Sequence, residues 1–101
     1  MAQDNPRQIK EEQSFAQCVE RLGGAQRIDK ALTALWSGLA FWPEGFDLVG
    51  EHGVRIAKTD EIVVDNGADV IPRLRLYFRI SDLGEVILLW IEEIPEDEVP
   101  S

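Results

Sequence analysis

The stretch Arg73-Leu74-Arg75-Leu76-Tyr77-Phe78-Arg79-Ile80 alternates without a break. Successive side chains of a strand point to opposite faces. Leu74, Leu76, Phe78 and Ile80 therefore share one side, and Arg73, Arg75, Tyr77 and Arg79 the other. A strand of this kind asks for an apolar layer on one face only. Pro72 precedes it, at a position where the missing N–H costs no ladder bond. Beyond it, Ser81-Asp82-Leu83-Gly84 predicts a turn. Val86 to Ile91 is apolar at every position, which predicts a central strand or one covered on both sides.

The layer that covers the Leu/Phe/Ile face is supplied upstream. Ile28, Leu32, Leu35, Leu39 and Trp42 follow one another at spacings of 4, 3, 4 and 3, an apolar seam of helical period. Ala31, Ala34 and Gly38 lie close to the seam and leave room for another element. Ahead of it Ile9, Phe15, Ala16, Val19 and Leu22 fall on or near a second helical stripe. Asn5-Pro6 reads as an N-cap followed by proline at the first helical position, and Gly23-Gly24 as the stop. The expectation is two helices over residues 6–22 and 25–42, joined as an antiparallel hairpin and ended by Pro43-Glu44-Gly45.

After Pro43 the period changes. Residues 46–49, Phe-Asp-Leu-Val, read as a short strand, 50–53 as a glycine-rich turn, and 54–59 alternate. Asp65-Asn66-Gly67 lies between two apolar runs, 62–64 and 68–71. Asn-Gly in that setting signals a β-hairpin; the arms are short, which leaves a protruding loop as the alternative. The expected fold class is α+β: an N-terminal helical hairpin packed on an antiparallel β-sheet that includes 54–59, 73–80 and 85–92. One domain over 1–101 is expected, with an acidic tail that frays from about residue 94. The expected core includes Leu32, Leu35, Leu39, Leu76, Phe78, Leu88 and Trp90.

A chain of 101 residues, 45% hydrophobic, buries enough for one core and not for two. One cysteine, Cys18, excludes an internal disulfide. The opening MAQDNPRQIKEE has no apolar stretch of a signal peptide, and the longest apolar run is far short of a membrane span. A soluble, cytoplasmic protein is expected. The net charge is −9, and all of it lies after residue 43. Residues 1–43 carry five basic and five acidic side chains, whereas 44–101 carry five basic and fourteen acidic. Such a field does not draw nucleic acid from a distance, because phosphate binding rests on clustered Lys and Arg.

Residue types limit the chemistry. One His and one Cys do not assemble a zinc site. Asp60, Asp65, Asn66 and Asp69 do not follow a calcium-loop pattern. His52 lies in a glycine-rich turn, and Cys18 sits on the apolar face of the first helix. No metal and no cofactor are expected. The Arg/Tyr stripe remains, with Arg55 on a neighbouring strand and Lys58 near its end. Guanidinium forks suit phosphate, and tyrosine can stack on a base or move a proton. RNA cleavage needs no metal where a base activates the 2′-OH and cations stabilise the phosphorane. The plainer alternative is an exposed sheet face whose arginines pair with nearby Asp and Glu.

The order of parts is a helical hairpin ending in Pro-Glu, then Gly-Val-Arg-Ile-Ala-Lys-Thr, then Ile-Pro-Arg-Leu-Arg-Leu-Tyr-Phe-Arg-Ile, then Val-Ile-Leu-Leu-Trp-Ile-Glu-Glu. Over about residues 11–93 this resembles the RelE/ParE superfamily of toxins from bacterial toxin–antitoxin pairs. Its members show a helix pair, a strand reading roughly "hRhhK", a strand reading "yRhhYxh", a turn and an apolar strand. The resemblance implies a cognate antitoxin as partner, with the ribosome and messenger RNA, or a protein such as DNA gyrase, as target. It implies catalytic roles for Arg55, Lys58, Arg75, Tyr77 and Arg79 in a RelE-like endoribonuclease, and partner contacts for Arg73, Glu92 and Glu93. The family's opening strand would fall at Gln8-Ile9-Lys10, which reads here as helix. Where RNA-cutting members carry a basic or aromatic C-terminal segment, this chain has Glu92-Glu93-Ile94-Pro95-Glu96-Asp97-Glu98. These acids are expected to suppress nucleic-acid affinity, either by folding back on the stripe or as a plain surface feature. Two readings stay open: a toxin with metal-independent nuclease activity, or a protein of this fold without nuclease chemistry. The second would act on a protein target, or block a basic protein by imitating nucleic acid.

Overall fold

The computed structural model describes residues 6–95. Two helices, α1 (Gln13–Arg21) and α2 (Ala25–Phe41), lie on one face of a five-stranded sheet. The strands are β1 (Ile9–Glu11), β2 (Asp47–Val49), β3 (Val54–Lys58), β6 (Leu74–Ile80) and β7 (Val86–Glu93), in spatial order β1-β7-β6-β3-β2. A separate hairpin pairs β4 (Ile62–Val64) with β5 (Asp69–Ile71). The fold is α+β, as expected. None of its helices is long and apolar enough to cross a membrane, among the described residues.

The sheet is mixed and not antiparallel throughout, because β1 runs parallel to β7. This corrects the reading of residues 6–12 as helix. Between Ile9 and Phe15 the sequence holds only Lys10, Glu11, Glu12, Gln13 and Ser14, so a helix there would have no apolar face to bury. The free edge of the apolar strand β7 captures the segment instead, with Ile9, Lys10 and Glu11 opposite Val86, Ile87 and Leu88. Backbone bonds from Val86 to the Gln8 carbonyl and from Glu12 to the Leu88 carbonyl, both 2.9 Å, close the two ends. Helix α1 starts only at Gln13.

The alternation in β6 places Leu74, Leu76 and Phe78 in the core with Phe15, Ile28, Leu32 and Leu39 from the helices. Leu35 is half-buried at the margin of this cluster. Gly38 admits the ring of Phe46, since a Cβ there would lie 3.2 Å from it. Phe46 in turn meets Phe78 edge-on, with ring centroids 5.5 Å apart.

Trp90 is not a core residue; it is 37% exposed. The cause is a β-bulge. Phe78 pairs with Leu88 and Tyr77 with Trp90, which leaves Leu89 as an extra residue in β7. A bulge reverses the sense of alternation beyond it. Val86 and Leu88 point to the helices, and after the bulge Ile91 takes that role while Trp90 turns to the other face. Ser14 at the start of α1 donates its hydroxyl to the carbonyl of the bulged Leu89 at 2.6 Å, which ties the helix to the bulge.

The Asn-Gly segment does form a hairpin and not a loop. Asn66 has φ 56° and Gly67 φ 91°, the positive values that a tight hairpin turn requires. Ile62, Val64 and Ile71 pack on the core. Past β7, the Ile94 amide still donates to the Arg73 carbonyl, so pairing extends to residue 94, where fraying was expected to begin. Glu96, Asp97 and Glu98 lie outside the described residues.

Candidate functional site

The sheet face turned away from the helices is organised as rungs across the strands. One rung runs Asp47, Ile56, Tyr77, Trp90; a second Lys58, Arg75, Glu92; a third Val49, Val54, Arg79, Ile87. Cross-strand partners share a face, so the alternating stripe of β6 is placed as read: Arg75, Tyr77 and Arg79 lie together, and Lys58 is beside Arg75. Arg73 precedes the strand and is exposed.

Arg55 is not part of this surface. It pairs with Phe78 in the ladder and so points to the helix side. There its Nη1 donates to the carbonyls of Glu44 at 3.1 Å and Phe46 at 2.7 Å. Arg55 and Lys58 are three residues apart on one strand, and a period of two puts them on opposite faces. Arg55 holds the turn after α2 to the sheet.

The centre of the face is a hydrogen-bonded cluster around one carboxylate. Oε2 of Glu92 accepts from Arg75 Nε at 2.9 Å, Arg75 Nη2 at 2.6 Å and the Tyr77 hydroxyl at 3.1 Å. Oε1 accepts from the Trp90 indole N–H at 3.2 Å. The Arg21 guanidinium, from the end of α1, lies 5.4 Å from the Trp90 ring centroid, within cation–π range. The remaining charges are looser. Arg79 Nη2 is 3.9 Å from Glu12, and Lys58 and Arg73 have no ion pair among the described residues. Glu93 faces the helix side, opposite Leu74. Glu92 meets the stripe as the cross-strand partner of Arg75, and the acids at 96–98, on which a folded-back tail would rest, lie outside the described residues.

These contacts set the protonation of the cluster. Burial pushes the Glu92 carboxyl up, but the bonds from Arg75, Tyr77 and Trp90, with the Arg75 charge, outweigh it and hold it below its ordinary value. Burial pushes the Tyr77 phenol up, and the Glu92 hydrogen bond and charge add to this against the opposing Arg75. Tyr77 is therefore a proton donor held further from neutrality and not a base poised near it. A depressed carboxylate stabilises the folded state above its unfolded pKa of about 4.3, and that contribution is lost as pH falls through the lower folded value. Wild type is expected to exceed Glu92→Gln in urea midpoint at pH 6, and the gap to shrink steadily as pH falls below about 4.3. A gap that stays constant over this range would show that the carboxylate charge contributes nothing.

Sequence reasoning found the β6 residues of the cluster and missed Trp90 and Arg21. Trp90 was masked by its alternation with Val86 and Leu88, which the bulge overrides. Arg21 carries no signal in the sequence, because only the packing of α1 against β7 brings it to the ring. Comparison with family models, with curated proteins and with solved structures finds no match for this chain.

Proposed function

We propose that this chain is a binding protein of RelE/ParE-like architecture, the toxin-like member of a toxin–antitoxin pair. Its open sheet face engages a protein target. The observation that carries the choice of binding over RNA cleavage is the Glu92 carboxylate seated on Arg75 and Tyr77. A cleaving site needs a base near neutral pKa, and burial, with Glu92 adding to it, pushes the Tyr77 phenol up and away from that range. This face instead joins an aromatic pair, Tyr77 and Trp90, to half-buried Ile56 and Val54, with arginines at hand. Aromatic side chains and arginine are the types enriched in protein interfaces. The strand Ile9–Glu11 ahead of two helices adds an element that the family's order includes. A second reading, a metal-independent endoribonuclease, is favoured by Lys58, Arg75, Tyr77 and Arg79 sharing one face.

Inducible expression in bacteria separates these. Growth arrest with intact messenger RNA is the expected result, relieved by Trp90→Ala with the fold retained by circular dichroism. Arrest accompanied by ribosome-bound mRNA cleavage, abolished by Arg75→Ala, would replace the binding reading with the nuclease. Absence of any arrest would remove the toxin role.

A further inference from the structure

We propose that Arg75, Tyr77 and Trp90 form an oxyanion-binding site which the chain keeps filled with its own Glu92 carboxylate, an exchangeable plug. Four donors from three side chains converge on one carboxylate: Arg75 Nε and Nη2 and the Tyr77 hydroxyl on Oε2, and the Trp90 indole N–H on Oε1. Convergence of this kind, a guanidinium fork with two neutral donors, is the recognition geometry for a carboxylate or phosphoryl oxygen.

The backbone that carries the donors does not depend on Glu92 for its place. Arg75 and Tyr77 are two residues apart on β6, a strand paired on both sides. Trp90 is aimed at the same point because the Leu89 bulge turns it out of the core, and the bulge is fixed by the Ser14 hydroxyl. Arg21 at 5.4 Å from the indole centroid adds positive charge beside it. Sites built on strands with supported side chains are preorganised. The plug is the less constrained member. Glu92 stands near the end of β7, and its side chain retains 35% of its surface exposed, so a side-chain rotation would release it without breaking the strand.

An internal ligand acts at an effective concentration of millimolar or more, and an external anion binds in proportion to the fraction of open sites. The full-length protein is titrated with inorganic phosphate against sodium chloride of matched ionic strength. The Trp90 indole and Arg75 Nε signals are followed by 1H–15N NMR. Glu92→Gln is expected to give a saturable shift, with an apparent Kd at least about tenfold tighter than wild type. Glu92→Ala removes the remaining amide oxygen and should bind at least as well, and Arg75→Ala/Glu92→Gln should lose the shift. Phosphate binding no tighter in either single variant than in wild type would overturn the proposal. So would a shift retained in the double variant. The result is independent of whether the face meets a protein or an RNA, so its failure leaves the expression experiment intact.

Discussion

Phe78→Ala is expected to destabilise the protein by about 3–5 kcal/mol, the usual cost of emptying a buried aromatic site. Phe78 has no exposed surface. It lies opposite Leu88 at the bulge and opposite Arg55 on β3, and its ring meets Phe46 at an interplanar angle of 89°. Removing it leaves a cavity beneath α2 and takes the partner from Phe46, the ring that Gly38 was kept small to admit. Domains of this size are stable by about 5–15 kcal/mol, so the loss is a large fraction of the total. With a urea slope of about 1–3 kcal/mol/M, the midpoint should fall by on the order of 2 M. Leu35→Ala, at a half-buried position on the core's margin, should cost less. An unchanged midpoint for Phe78→Ala would mean that the helices and sheet do not meet where the structure places them.

The contrast between Phe78 and Trp90 shows what was legible in the sequence. Both are aromatic and both sit on the alternating pattern of their strands. In β6 the pattern is unbroken, so Leu74, Leu76 and Phe78 were readable as core and Arg75, Tyr77 and Arg79 as the opposite face. In β7 every residue from Val86 to Ile91 is apolar, so the pattern itself does not reveal where a bulge falls. What accompanies the bulge is a tertiary contact, the Ser14 hydroxyl on the Leu89 carbonyl, which local pattern does not announce. The same holds for β1. Residues 9–11 have no strong preference of their own, and pairing with the open edge of β7 makes them a strand. Arg55 is the opposite case. Its face was implied by its spacing from Lys58, and reading the two as neighbours set aside the period of two. Local pattern thus determined the elements that carry their own period. Elements shaped by an edge or a single long-range bond were not readable.

Arg27 is expected to control the β4–β5 hairpin, and Arg27→Ala should release it while the main sheet stays folded. Its guanidinium binds Asp69 through Nε at 3.1 Å and Nη2 at 3.2 Å. It also donates to the carbonyls of Val70 at 2.8 Å and Leu22 at 2.9 Å. One side chain therefore joins the α1–α2 turn to the second arm of the hairpin. The hydrogen bonds and charge of Arg27 hold the Asp69 carboxyl below its ordinary value against the opposing effect of burial, as an engaged charge-assisted pair should. The hairpin has few other supports. Its strands are three residues each, they pair only with one another, and Val63 and Val70 are exposed. An isolated two-stranded hairpin is marginal in water, so Ile62, Val64 and Ile71 on the core must be helped by a clamp. Hydrogen exchange is the measurement. In Arg27→Ala the amides of 62–64 and 69–71 should exchange about tenfold or more faster, the effect of losing a bidentate charged contact, while those of 75–79 and 86–91 change little. Arg27→Lys should rescue only part of the protection, since an ammonium has no planar fork to reach two carboxylate oxygens and two carbonyls together. Uniform acceleration across both sheets would make Arg27 a global support, and unchanged exchange at 62–71 would show that core burial alone holds the hairpin.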